Sequence, residues 1–158
     1  MKTIITLLMA SCCIAVAAEN EPAFQAREFS VDSFYQLKLD DRGHLDRMKG
    51  DGIGVGVSYY LTENIGGAVS VLADEHTGTP VDALSAGLRL RYPIGQVAPY
   101  ALIDLRYDFR NDDTSYLLGG GVEWRPLDRW GLFGEAGYDL DSRSGDDIVA
   151  RLGVRFRF

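Results

Sequence analysis

From residue 29 to the end of the chain, apolar residues alternate with polar or small ones at a period of two, the signature of β-strands whose two faces differ. The last stretch shows it most plainly. Ile148, Ala150, Leu152, Val154, Phe156 and Phe158 fall on one face, and Arg151, Gly153, Arg155 and Arg157 on the other. The same test predicts strands over 130–141, 115–125, 97–110, 84–92, 65–73, 52–61 and 29–39, and no helical period competes with it. The connections alternate in size. Residues 41–50, 74–82, 110–114 and 142–147 read as polar loops, whereas 62–64, 93–96 and 126–129 read as tight turns. An up-and-down arrangement with loops on one rim and turns on the other follows.

Alternation alone does not say whether the apolar face looks into a core or out into lipid. The polar face carries Arg89, Asp104, Arg106, Glu123, Glu135, Arg151 and Arg155 among many glycines, with Arg91 and Arg125 beside them. Glycine weakens a solvated strand, but inside a narrow barrel it makes room for long side chains whose opposite charges can pair. The aromatic residues of the apolar face gather at strand ends. Tyr59, Tyr92, Trp124 and Trp130 lie near the turn rim with Phe29, Phe156 and Phe158, and Tyr107, Phe109, Tyr116 and Tyr138 lie near the loop rim. A soluble core would bury its largest rings at its centre, whereas two girdles flanking an aliphatic band fit the two interfaces of a bilayer. Each strand also has the length that a tilted strand needs to cross one. The apolar face is therefore expected to face lipid.

Composition agrees and removes other classes. The 158 residues suit a single domain, and 18 glycines with 11% aromatics and only 5 prolines fit a strand-rich chain better than a disordered one. Lys and Arg number 16 against 23 Asp and Glu, a net charge of −7, so no basic field is available for nucleic acid.

Residues 1–18 read as a secretory signal peptide: Lys2 precedes an apolar run, and Ala15-Val16-Ala17 or Val16-Ala17-Ala18 supplies small residues for cleavage. The run is shorter than the ~20 residues of a membrane-spanning helix. A lipoprotein signal at Cys12 is disfavoured by the apolar residues after it. Cys12 and Cys13 are the only cysteines, so the exported chain is expected to be thiol-free, with residues 19–28 as a short amino-terminal segment before the barrel.

Val154-Arg155-Phe156-Arg157-Phe158 resembles the carboxy-terminal assembly signal of Gram-negative outer-membrane β-barrels, in which Val154, Phe156 and Phe158 would carry the apolar pattern. Val97-Ala98-Pro99-Tyr100-Ala101, the run from Gly119 to Arg125 and Trp130-Gly131-Leu132-Phe133 also resemble the later strands of small outer-membrane barrels, including the transmembrane domain of outer membrane protein A. The resemblance implies an all-β, eight-stranded antiparallel up-and-down transmembrane barrel over 29–158. It also implies both termini and the turns in the periplasm, the loops outside, and recognition by the barrel-assembly machinery. Outer-membrane lipid and lipopolysaccharide would be its surroundings. No peptidoglycan-binding domain is expected after the barrel.

Candidate chemistry is sparse. Acyl-modifying barrel enzymes need a nucleophile and a base within reach of each other, but His44 and His76 both fall in expected loops, so no enzymatic activity is expected. Asp139, Asp141, Asp146 and Asp147 suggest calcium only superficially, because Arg143 stands where a further oxygen ligand would fall. No metal or cofactor is expected. An eight-stranded barrel is filled by its own side chains, which leaves room for a narrow channel at most. The expected role is envelope integrity or surface contact through the loops. A narrow channel, a lipid-modifying enzyme and a soluble lipocalin-like binder are the alternatives.

Overall fold

The computed structural model describes residues 23–40, 48–74, 81–110, 112–141 and 147–158. Among them every regular element is a strand: β1 (Glu28–Asp40), β2 (Met48–Tyr60), β3 (Ile65–Asp74), β4 (Ala83–Arg91), β5 (Val97–Asp108), β6 (Asp113–Trp124), β7 (Trp130–Asp141) and β8 (Asp147–Arg157). Each pairs antiparallel with the next, and β8 returns to β1 from Ser30↔Arg157 to Asp40↔Asp147, closing the barrel. Closure leaves no strand edge unpaired.

Several boundaries move outward from the sequence reading. Residues 48–50, 74, 113–114 and 147 lie in strands, not in the loops expected there, because cross-strand hydrogen bonding continues past the point where the apolar alternation fades. β1 starts at Glu28, one residue before the expected barrel boundary, and β2 ends at Tyr60, leaving Leu61 in the turn. The expected leader, His44 and His76 lie outside the described residues.

The faces divide by polarity. Ile53, Val55, Val57, Leu88, Leu90, Ile103, Leu118 and Leu152 stand outward, with Leu152 71% exposed, while the charged side chains turn inward and are buried. A soluble barrel has the opposite arrangement, so the lipocalin-like alternative fails on this point. The aromatic residues named for the girdles all lie on the outer face, Trp124 and Phe156 half-buried and the others exposed.

The inner face is not wholly polar. Phe34, Tyr60, Tyr100 and Phe133 point into the lumen. Each lies beside a glycine on a neighbouring strand: Phe34 over Gly54, Tyr60 over Gly66, Tyr100 over Gly121 and Phe133 over Gly153. A Cβ at Gly153 would come within 2.6 Å of the Phe133 ring, and one at Gly66 equally close to Tyr60. The inward glycines therefore make room for rings as well as for arginines.

Candidate functional site

The lumen is filled by ionic layers, each built because successive inward positions on adjacent strands come level. In the middle layer Arg89 of β4 meets Asp104 of β5 through both terminal guanidinium nitrogens, and Asp104 also lies 3.3 Å from Arg151 of β8. Arg151 reaches Glu135 of β7 at 3.4 Å and donates from Nε to Gln36 at 2.9 Å, and the Tyr100 hydroxyl donates to Glu135 at 2.8 Å. Arg89 and Glu135 stand 3.7 Å apart.

Toward the turn rim, Arg155 grips Asp32 across the β1–β8 closure, with Nε to Oδ1 at 2.6 Å and Nη2 to Oδ2 at 3.0 Å, and its remaining nitrogen goes to Glu123. Glu123 also accepts from Arg125 at 2.6 Å. Arg125 and Arg91 both hold Glu28, so one chain of alternating charge runs Asp32, Arg155, Glu123, Arg125, Glu28, Arg91. Toward the loop rim Lys38 lies 3.3 Å from Asp139 and 3.1 Å from Asp147, and Arg106 lies 3.6 Å from Asp139.

The turn rim is capped. Phe24, in the segment before β1, is buried beside two guanidinium carbons, 4.2 Å from that of Arg125 and 4.9 Å from that of Arg91. The Ala23 carbonyl accepts from Arg125 at 2.6 Å and that of Gln25 from Arg91 at 3.0 Å. Arg91 also covers the Tyr60 ring at 3.5 Å and donates to the Glu63 carbonyl of the β2–β3 turn. Burial pulls the Arg125 pKa down, but the hydrogen bond and charge of Glu28 and the charge of Glu123 outweigh it and hold the pKa above its ordinary value.

Buried charges are tolerable only when paired and hydrogen-bonded, and removing one partner costs about 3 to 5 kcal/mol. The charges of these layers are paired, with bidentate Arg–carboxylate geometry at Asp32 and Asp104, while Arg89 Nε and Asp139 Oδ1 are buried without a hydrogen bond among the described residues. Arg89, Asp104, Glu123, Glu135, Arg151 and Arg155 all join them, and Arg106 sits at the loop-rim end. Glu28 and the Phe24 cap escaped the sequence reading, because the segment before β1 has no period and its partners lie on distant strands.

Among the described residues no three His, Cys, Asp or Glu side chains are arranged to hold a metal. Of the acidic residues weighed for calcium, Asp139 and Asp147 face each other in register and share Lys38, while nothing is described of the Asp141 and Asp146 side chains. What the arrangement does is fill the bore with paired side chains that tie distant strands together and brace the wall.

An outward apolar band between aromatic girdles, around a charge-filled bore within a closed ring of strands, defines an integral membrane β-barrel. The chain belongs to the outer membrane protein β-barrel domain family, whose family model matches residues 4–158. Among solved structures it is similar to the amino-terminal β-barrel domain of Pseudomonas aeruginosa OprF, with TM-score 0.66 and 16% identity over 85% of this chain and 99% of that one. Ail, the attachment invasion locus protein of Yersinia pestis, solved with the heparin analogue sucrose octasulfate, gives TM-score 0.58 and 17% identity over 84% of this chain and 99% of that one. OprG of P. aeruginosa gives TM-score 0.55 and 13% identity over 88% and 99%. These likenesses establish the fold alone. No curated protein matches the chain in sequence.

Proposed function

We propose that this outer-membrane barrel is a non-catalytic, non-conducting element of the envelope, a rigid plug in the bilayer that supports integrity and presents its loops for surface contact. The observation that carries this reading is the lumen. Its side chains pair with one another layer by layer and Phe24 caps one end, so the loops and the outer face are left to meet a partner. The termini and tight turns would face the periplasm, the four loops the exterior, and lipopolysaccharide the outer half of the apolar band. Export by a cleaved leader and insertion by the barrel-assembly machinery complete the reading.

Epitope accessibility tests it. An epitope between Asp112 and Asp113 should be labelled on intact cells, whereas one between Gly95 and Gln96, in the exposed β4–β5 turn, should need a permeabilised outer membrane. Trimming the four loops should abolish any surface-contact phenotype and leave a folded barrel. Reversed labelling, or loop trimming without effect on such a phenotype, would contradict the reading.

A further inference from the structure

The ion pairing that fills the bore stops at the turn rim, where a cleft of about 470 Å³ opens between the segment before β1, the β6–β7 turn and the end of β8. Arg27, Arg129 and Arg157 line it together with Asp128, Glu28 and Phe158. Arg157 is partly engaged, 3.4 Å from the Ala23 carbonyl and 3.9 Å from Glu28. Arg27, Arg129 and Asp128 are exposed, and among the described residues none of the three has an ion-pair partner.

The cleft is held in shape. The Arg129 carbonyl accepts from the Arg157 amide at 2.8 Å, and the Phe158 amide donates to the Phe29 carbonyl at 3.0 Å. Arg27 adopts φ 60°, a left-handed conformation unusual for a residue with a side chain, and it turns the chain from the capped bore to the rim. Such local strain persists where the surroundings impose it, often at ligand sites.

Beside the cleft runs a continuous aromatic surface on the outer face. Trp130 and Phe156 have ring centroids 4.8 Å apart, Phe156 and Phe158 5.0 Å, and Phe158 and Phe29 5.7 Å. Aromatic side chains of a girdle sit at headgroup depth, so the cleft meets the bilayer where lipid phosphates lie. Its mixed charge selects among them. Two guanidiniums with no ion-pair partner among the described residues suit a phosphate, and Asp128 on the same cleft suits a cation carried by the same headgroup. A bare anion would leave Asp128 unmatched.

We propose that this cleft binds the headgroup of a zwitterionic phospholipid with a primary ammonium, its phosphate between Arg27 and Arg129 and its ammonium at Asp128. The assignment to the periplasmic leaflet rests on the orientation proposed above, but headgroup binding does not and can be measured on the purified protein.

The test is native mass spectrometry of the folded full chain in neutral detergent containing phosphatidylethanolamine, phosphatidylglycerol or inorganic phosphate. The wild type should retain phosphatidylethanolamine in preference to phosphatidylglycerol, and excess inorganic phosphate should not displace it. Arg27→Gln with Arg129→Gln should weaken retention about tenfold or more, the loss of one or two charge-assisted contacts. Asp128→Asn should erase the preference for the ammonium-bearing lipid while leaving phosphatidylglycerol retention unchanged. Because Asp128 is exposed in a turn, this single variant keeps the test valid if the double variant folds poorly. Equal retention of the two lipids by the wild type, unchanged retention in the arginine variant, or displacement by inorganic phosphate would overturn the proposal. Opposite labelling of the epitopes would overturn the orientation and leave headgroup binding standing.

Discussion

Glu135 on β7 and Arg151 on β8 stand directly opposite each other in the ladder, both inward, with 3.4 Å between carboxylate and guanidinium. Neither is alone, since Arg151 also holds Asp104 and Gln36 and Glu135 accepts from Tyr100. Glu135→Ala should destabilise the folded barrel by about 3 to 5 kcal/mol, because it leaves Asp104 as the one carboxylate facing both Arg89 and Arg151 and takes the acceptor from the Tyr100 hydroxyl. The double change with Arg151→Ala should cost less than the sum of the two singles. Detergent-to-denaturant unfolding measures all three, and strict additivity would remove the pair from this account.

Phe34 and Gly54 face each other across β1 and β2, and a side chain at residue 54 would run into the ring. Gly54→Val should cost about 1 to 3 kcal/mol by overpacking. Pairing it with Phe34→Leu should recover part of that loss. If Gly54→Val is neutral in the same unfolding assay, the close ring-to-glycine approach is not a feature of the folded state.

The Phe24 cap predicts a change in access to the bore. Ser58, buried on the inner face and hydrogen-bonded to Ser30 at 2.8 Å, can be replaced by cysteine in a background lacking Cys12 and Cys13. A small charged thiol reagent should modify Ser58→Cys slowly, and at least about tenfold faster once Phe24→Ala removes the ring that shields Arg91 and Arg125. Equal rates would show that the segment before β1 does not seal that end.

At the β1–β8 closure, Phe156 touches both Trp130 and Phe158, and Phe158 packs on Phe29. Phe156→Ala with Phe158→Ala should lower the folded fraction in the outer membrane and leave unassembled protein behind, read as loss of the heat-sensitive fast-migrating gel band. Undiminished assembly would count against Val154, Phe156 and Phe158 as an assembly signal.

Much of this was legible in the chain because period two is a strong signal when both faces of a wall are demanding. Strand count, alternation of loops and turns, outward girdles and the opposition of Glu135 and Arg151 all follow from local spacing. Inward rings were harder. A rule that sends apolar residues outward does not account for Phe34, although it lies in phase with Asp32 and Gln36 and beside a glycine one strand away, whereas the alternation over 130–141 does put Phe133 on the polar face with Gly131 and Glu135. The Asp32–Arg155 and Glu28–Arg125 pairs depend on closure of the barrel and on bridging the bore, relationships that no local window contains.

The central claim is that the bore is filled and closed, and ion conduction across a planar bilayer tests it most directly. The wild-type barrel, inserted and shown by its gel mobility to be folded, should give no discrete conductance steps above the leak of the bare bilayer. Stable unitary steps from the folded wild type would mean that the paired layers from Lys38 to Arg91 leave a continuous ion path, and the account of a sealed envelope element would be contradicted.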